Sequence, residues 1–166
     1  MNLIKKFNEK KNIFIKKENI SFLFFIILIF SIDRLTKDKI VNSSDQNVYF
    51  LNEFINFDLI WNTGIGFGLL SFDSFVIYNS ITILIGLVIL ILSYIAIVSE
   101  TLDKFIYSII IGGAIGNFYD RLFYNAVPDF IDVHYNNFHW FTFNVADVFI
   151  TLGVIMFILK GLFIKN

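Results

Sequence analysis

The chain has 166 residues, 57% of them hydrophobic, with a mean hydropathy of +0.72 and a formal net charge of -1. A soluble domain is nearer about 45–50% apolar, so this composition belongs to a membrane protein, of a size suited to one compact bundle. The absence of Cys excludes a disulfide-stapled fold, a thiolate nucleophile and thiol metal ligands, and the basic residues read as a membrane-topology signal rather than a nucleic-acid surface.

Residues 1–19 are polar and carry six lysines, a solvated basic tail. A cleaved signal peptide does not fit: Asp33-Arg34 follows the apolar run 22–32, without a small-x-small site. Residues 20–41 are therefore an expected first span. Its clean apolar part covers only 11 residues where about 20 are needed, so the helix must carry Asp33, Arg34 and Lys37 in its far end. Asp33 and Lys37 are i,i+4 with the acid first, the favourable order for a pair on one helix face. The connection 42–74 mixes apolar and polar residues over 48–61, which predicts short strands at the membrane surface. Asn62-Thr63-Gly64-Ile65-Gly66-Phe67-Gly68 follows; its spacing is not that of a dinucleotide loop, and no βαβ context surrounds it.

Residues 75–98 contain no charge and form the clearest span. A third span is expected near 104–123, where Gly112 and Gly116 make a small-xxx-small step for close helix packing. It runs into Asn117, Asp120 and Arg121, which share a helix face. Pro128 is expected to end the helical stretch and to set Asp129 on a fixed turn. Residues 124–143 form an aromatic-rich loop suited to a membrane interface. A fourth span covers about 144–164, with Asn144 and Asp147 on one face and Asp147 the only charge before Lys160.

The tail, the 99–104 turn and the C-terminal end hold nine Lys and Arg, and the connections 42–74 and 124–143 hold none. The positive-inside rule then puts both termini in the cytoplasm and both connections outside. On that topology Asp33, Lys37, Asn62, Asn117, Asp120, Arg121, Asp129, Asn144 and Asp147 converge near the outer boundary. An ionisable group in a membrane costs several kcal/mol unless it is solvated or paired, so such a cluster marks a site.

Four acids compete for roles there. Asp120 is expected to pair with Arg121 or another cation and to be structural, and Asp132 to be solvated in its loop. Asp129 and Asp147 have no cation close in sequence. Facing each other in a partly dry site they cannot both ionise, the arrangement of an aspartic protease. His134 and His139 lack H-E-x-x-H spacing, and no nucleophile elbow is present, so neither a metal nor another cofactor is expected. A carrier would distribute its acids through the membrane depth, and a scaffold would use polar groups only to join helices; here the acids crowd one level.

Five motifs resemble those of the lipoprotein signal peptidase (signal peptidase II) family, in that family's order. Asp33-Arg34-Leu35-Thr36-Lys37 is similar to D-x-x-[ST]-K, and Asn62-Thr63-Gly64 with Phe67 to N-x-G-A-A-F. Gly112 to Arg121 matches G-G-A-x-G-N-x-x-D-R, Val127-Pro128-Asp129-Phe130-Ile131 resembles V-V-D-F-I, and Asn144-Val145-Ala146-Asp147 matches N-x-A-D. Ile65-Gly66 stands where the family has Ala-Ala, and Pro128 where it has Val.

The resemblance implies an all-α integral membrane protein of the bacterial inner membrane, four transmembrane helices with a small periplasmic β-cradle and a mobile loop or short helix in 124–143. Residues 20–166 would form one protease domain behind the 1–19 tail. It implies an aspartic endopeptidase that removes the signal peptide of diacylglyceryl-modified prolipoproteins, cutting before the lipidated cysteine. Asp129 and Asp147 would be catalytic, with Asp33, Lys37, Asn62, Gly64, Asn117, Asp120, Arg121, Asn144 and Ala146 in support. The cyclic peptide globomycin would be an inhibitor, membrane lipids the surroundings, and the active form a monomer.

Overall fold

The computed structural model describes residues 17–43, 49–64, 75–136 and 138–163. Most of the basic tail, the glycines at 66 and 68, Ile65, Phe67 and the last three residues lie outside the described residues. Among the described residues four helices, α1 (Lys17–Val41), α2 (Phe75–Val98), α3 (Thr101–Phe123) and α4 (Val145–Phe163), fall close to the ranges that hydropathy sets. Three of them, α1, α2 and α4, are long and apolar enough to cross a membrane. α3 is also long enough, about 34 Å at 1.5 Å per residue, but it carries charges near both ends and lies packed against the other three.

The packing inverts the pattern of a soluble bundle. Outward positions such as Leu23, Phe24, Leu87, Leu90 and Leu162 are exposed hydrophobics, whereas Asp33, Lys37 and Asp120 are buried. On α1 the buried positions Phe22, Ile26, Ile29, Asp33 and Lys37 recur at three- and four-residue steps, which is one helix face. That face starts apolar and ends charged, so one contact surface serves both core and site. Phe22, Ile26, Ile89, Ala96 and Ile111 form the buried apolar cluster between α1, α2 and α3.

α3 reaches its neighbours through glycine. A Cβ on Gly112 would lie 2.8 Å from the Cβ of Ile29 in α1, and one on Gly113 would lie 2.5 Å from the Ala146 carbonyl oxygen in α4. A Cβ on Gly116 would run into the Asp33 carboxylate. The small-residue step thus brings two backbones within reach of α3, and the third glycine leaves room for a charged side chain.

The second connection differs from expectation. Residues 124–143 are neither loop nor short helix: β3 (Val127–Tyr135) and β4 (Phe138–Phe143) form a hairpin that joins β1 (Tyr49–Asn52) and β2 (Ile55–Asn62) in one four-stranded antiparallel sheet of order β1-β2-β3-β4. Residues 130–135 and 138–143 are rich in aromatic and β-branched side chains, which fit a pleated, half-buried surface. Asn136 between them takes a positive φ of 52°, as primed hairpin turns require.

Pro128 does not end α3. The helix closes at Tyr124, whose N–H bonds the Asp120 carbonyl oxygen at 2.8 Å, and Asn125 follows with φ 54°; Asn is one of the few residues that accepts this left-handed exit. Pro128 is instead the second residue of β3, opposite Trp61. Pairing with β4 begins only at Ile131, so among the described residues no strand on that side needs the N–H that proline lacks. Asp129 therefore sits on a hydrogen-bonded strand.

The glycine contacts give a test of opposite signs. Gly113→Ala should lower the thermal midpoint in detergent, because overpacking against a helix backbone costs about 1–3 kcal/mol, against about 1 kcal/mol of helix propensity gained. Gly161→Ala, with nothing among the described residues within 4 Å of the new carbon, should leave the midpoint unchanged or raise it. Equal shifts for the two variants would show that α3 is not held this closely.

Candidate active site

Two acids on β3 and α4 meet at the sheet end of the bundle. Asp129 and Asp147 line one cleft of about 190 Å³, with Asn62, Asn117 and Asn144 beside them and Ile85, Ala114 and Ile150 as its apolar wall. Asp129 is only 3% exposed.

Three asparagine amides hold the two carboxylates, and their orientations are forced by chemistry. Asn62 accepts from the Gly64 N–H at 2.8 Å, so its Nδ2 donates to Asp129 Oδ2 at 2.8 Å. Asn117 accepts from the Lys37 ammonium at 2.8 Å, which can only donate, so its Nδ2 donates to Asp147 Oδ1 at 2.7 Å. Asn144 accepts from the Asp147 N–H at 3.1 Å and donates through Nδ2 to Asp129 Oδ1 at 2.6 Å.

Asn144 also starts α4. Its Oδ1 bonds the N–H three residues on, and Asp147 Oδ2 returns to the Asn144 N–H at 3.2 Å. This is a reciprocal capping box with Asp in place of Glu. The N-x-A-D spacing is therefore a helix start as well as a site: capping orients Asp147 while the other end of Asn144 holds Asp129. The Ala146 N–H, another otherwise unpaired donor of that first turn, donates to Asp33 Oδ1 at 3.0 Å.

Behind the amides lies an ion cluster. Lys37 Nζ is 3.0 Å from Asp33 Oδ2 and 2.7 Å from Asp120 Oδ2, and Arg34 bridges the same two acids at 2.9 and 2.6 Å. The guanidinium of Arg34 also lies 4.9 Å from the ring centre of Tyr119. Asp33 and Asp120 have no side-chain exposure and Lys37 has 1%. Removing one partner from such a set strands a buried charge, so its members depend on each other. Asp120 thus pairs with Lys37 and Arg34. Arg121 turns away, donates to the Gly64 carbonyl oxygen and lies over the Tyr78 ring at 5.3 Å.

The structure accordingly brings together Asp129, Asp147, Asn62, Asn117 and Asn144 around the cleft. Asp33, Lys37 and Asp120 lie one layer behind, Arg121 and Gly64 tie the end of β2 to α3, and Ala146 contributes its backbone. Among the described residues no cation forms an ion pair with Asp129 or Asp147. Arg34 had no role in the sequence-based set; its place directly after Asp33 was the available signal, but which acid it reaches depends on α3. Asp132 departs from expectation: it is buried at 4% exposure and contacts His134 and His139, because the hairpin folds β4 over it.

Burial pushes the Asp129 carboxyl up to about 6, and the charge of Asp147 adds to the rise. Hydrogen bonds from Asn62 and Asn144 and the field of Lys37 restrain it. A group at this value is mostly ionised at pH 7 but keeps a protonated fraction of roughly a tenth, so it can both take up and give up a proton, as acid–base work requires.

The fold is similar to that of a bacterial membrane enzyme solved by the in meso method at 2.3 Å resolution, with TM-score 0.72 and 28% identity over 86% of this chain and 87% of that one. A second such structure, at 1.9 Å, gives 0.71 and 27%, covering 87% of this chain and 94% of that one. The architecture is that of bacterial membrane enzymes. Residues 25–163 match the profile of Signal peptidase (SPase) II. The lipoprotein signal peptidase of Pelagibacter ubique (strain HTCC1062) is 49% identical over 147 residues, 87% of this chain and 89% of that protein. That of Thermodesulfovibrio yellowstonii is 40% identical over 138 residues, covering 82% and 91%, and that of Francisella tularensis subsp. novicida (strain U112) 38% over 120, covering 70% and 74%. The chain belongs to the signal peptidase II family, and is a membrane protein of a peptidase family.

Two measurements follow from this geometry. Lys37→Met should lower unfolding stability by on the order of 3–5 kcal/mol, because Asp33 and Asp120 would share one remaining cation in a buried setting; a midpoint equal to wild type would remove the cluster's structural role. For Asp129, the folded-state value of about 6 lies above the ordinary 3.8. Its contribution to stability is therefore present below about pH 4 and lost as pH rises through about 6, on the order of 3 kcal/mol in all. Thermal midpoints of wild type minus Asp129→Asn should fall between pH 4 and 7; a difference independent of pH would contradict the assignment.

Proposed function

We propose that this chain is an aspartic endopeptidase that removes signal peptides from diacylglyceryl-modified prolipoproteins, cleaving before the lipidated cysteine. The observation that carries the reading is the pairing of Asp129 and Asp147 on one cleft, each held by amide donors and neither by a cation. With one proton shared between them, the charged carboxylate takes a proton from water as it attacks the scissile carbonyl carbon. The protonated carboxyl donates to the carbonyl oxygen, and the roles reverse as the amine leaves. The two carboxylates interact, so in this reading the proton is shared within the pair during turnover.

The supporting residues divide by what they do to this pair. Asn62, Asn117 and Asn144 point N–H donors at the carboxylates and fix their rotamers. Lys37 holds Asn117 from behind, while Asp33 and Asp120 hold Lys37. Arg121 and Gly64 anchor the strand end that carries Asn62. The apolar side chains Ile85, Ala114 and Ile150 give the cleft a wall that suits an extended, hydrophobic signal peptide.

In this reading α3 is a fourth membrane span, its end charges neutralised by partners rather than by water. Residues 20–166 act as one domain, with both termini cytoplasmic and the sheet and cleft at the periplasmic face of the inner membrane, in keeping with the lysine distribution. Exposed Phe50, Leu51, Phe138 and Trp140 on the sheet suit the interface, where aromatic rings partition. The protein acts as a monomer without cofactor, and globomycin binds at the aspartate pair.

The test is cleavage of a diacylglyceryl-modified prolipoprotein by the purified chain. Asp129→Asn and Asp147→Asn should each reduce the rate by about 10²–10⁴-fold, the scale of general acid–base catalysis, while thermal unfolding stays cooperative. Wild-type cleavage by either variant would overturn the pair as catalyst.

A further inference from the structure

The hairpin carries a second cluster that peptide hydrolysis does not use. Asp132 and His134 come from alternate positions on β3, and His139 lies opposite His134 on β4. His139 Nδ1 is 2.7 Å and His134 Nδ1 is 3.5 Å from the same oxygen, Asp132 Oδ2. The two imidazoles stack with centres 5.3 Å apart and 25° between planes, and a donor atom from each of the three residues falls within 4.8 Å of the others. None of the three lines the aspartate cleft.

We propose that Asp132, His134 and His139 bind a single divalent transition-metal ion of the zinc class. Ligand bonds of about 2.0–2.2 Å place the donor atoms of a tetrahedral site roughly 3–4 Å apart, and the cluster needs only small side-chain adjustments to meet that spacing. Two imidazole nitrogens and one carboxylate oxygen suit zinc, copper or nickel rather than calcium or magnesium, which prefer all-oxygen sets.

A plain histidine–carboxylate hydrogen-bond cluster accounts for His139 but not for the rest. His134 is 7% exposed, and its Nδ1 has no hydrogen-bond partner among the described residues. Asn56 stands opposite Asp132 on β2, and its buried Oδ1 also has no partner among them. Buried polar atoms are nearly always paired, so the unpartnered His134 Nδ1 beside the Asp132 carboxylate, with a second unpartnered atom on the residue paired with Asp132, points to a missing cation. The His139 side chain is 58% exposed, which leaves a path for the ion and room for water as a further ligand. Bound there, the ion ties β4 to β3, three residues along the strand from Asp129.

The experiment uses the full chain in detergent, stripped with a chelator and titrated with zinc alone by calorimetry, then with cobalt(II) to read its visible d–d bands. Wild type should bind one equivalent, show bands of low-coordinate cobalt with nitrogen ligands, and gain thermal stability with zinc. His139→Ala, which removes a largely exposed side chain, should weaken binding by about 10–100-fold or more and lose the stability gain. His134→Gln should do the same and shift the cobalt spectrum. Absence of saturable zinc binding by wild type, or affinities and spectra unchanged in both variants, would overturn the proposal. Cleavage of prolipoprotein is read separately, so loss of the metal site and loss of the peptidase reading are distinguishable.

Discussion

Charge buried where water cannot follow is the constraint on which this structure depends. Asp33, Arg34, Lys37 and Asp120 occupy the end of a bundle whose outer surface is hydrocarbon, and each is tolerable only while the others are in place. Lys37 is the centre of the set, with one ammonium donating to Asp120 and Asn117 and ion-paired with Asp33. Asp33 adds a second duty, since its other oxygen closes the N-terminus of α4 through Ala146. Moving α1 against α3 or α4 would break several charge-assisted bonds at once. The relative placement of three helices is thereby decided at one point, and the glycine contacts of α3 let the backbones come near enough for it.

Between this cluster and the cleft stand the asparagines. An amide is the right adaptor because it accepts at one end and donates at the other. Each of the three takes a hydrogen from a fixed group behind it and turns its NH₂ toward an aspartate. A lysine in the same place would neutralise the carboxylate and hold it ionised, and an apolar residue would leave it free to rotate. The amides instead orient the carboxylates with modest stabilisation of charge, so burial and mutual repulsion can still keep a proton on the pair. Asn144 does most here, since capping α4 and holding Asp129 are two uses of one side chain.

The sheet supplies the other half of the geometry. β2 and β3 come from connections separated by two helices, and their pairing sets Asn62 and Asp129 within hydrogen-bond reach. Arg121 fastens the strand end to α3 through Gly64. The site is thus closed by a ring of elements, α1 to α3 to β3 to α4, and no local segment contains it.

The sequence by itself determined the class of the protein, the helix ranges and which polar residues gather at one end of the bundle. A run of 24 residues without charge, connections 42–74 and 124–143 free of Lys and Arg, and acids clustered at the ends of the apolar runs are one-dimensional signals, because length and polarity are what a bilayer reads. The order of five motifs carried the family. What only tertiary structure decided is who meets whom. Asp120 pairs with Arg34 and Lys37 more than eighty positions away, while its neighbour Arg121 serves a backbone carbonyl. Residues 124–143 became a hairpin although loop and strand were both open to an aromatic-rich stretch; Asn136-Asn137 between two such runs was the signal passed over, and strand pairing with β2 settled it. Pro128 looked like a helix stop because local sterics disfavour helix there, yet α3 had already ended, and the strand accepts a proline where its second neighbour begins three residues later. The His134–His139–Asp132 cluster was invisible for the same reason: its members become neighbours only through cross-strand register, which spacing along the chain does not encode.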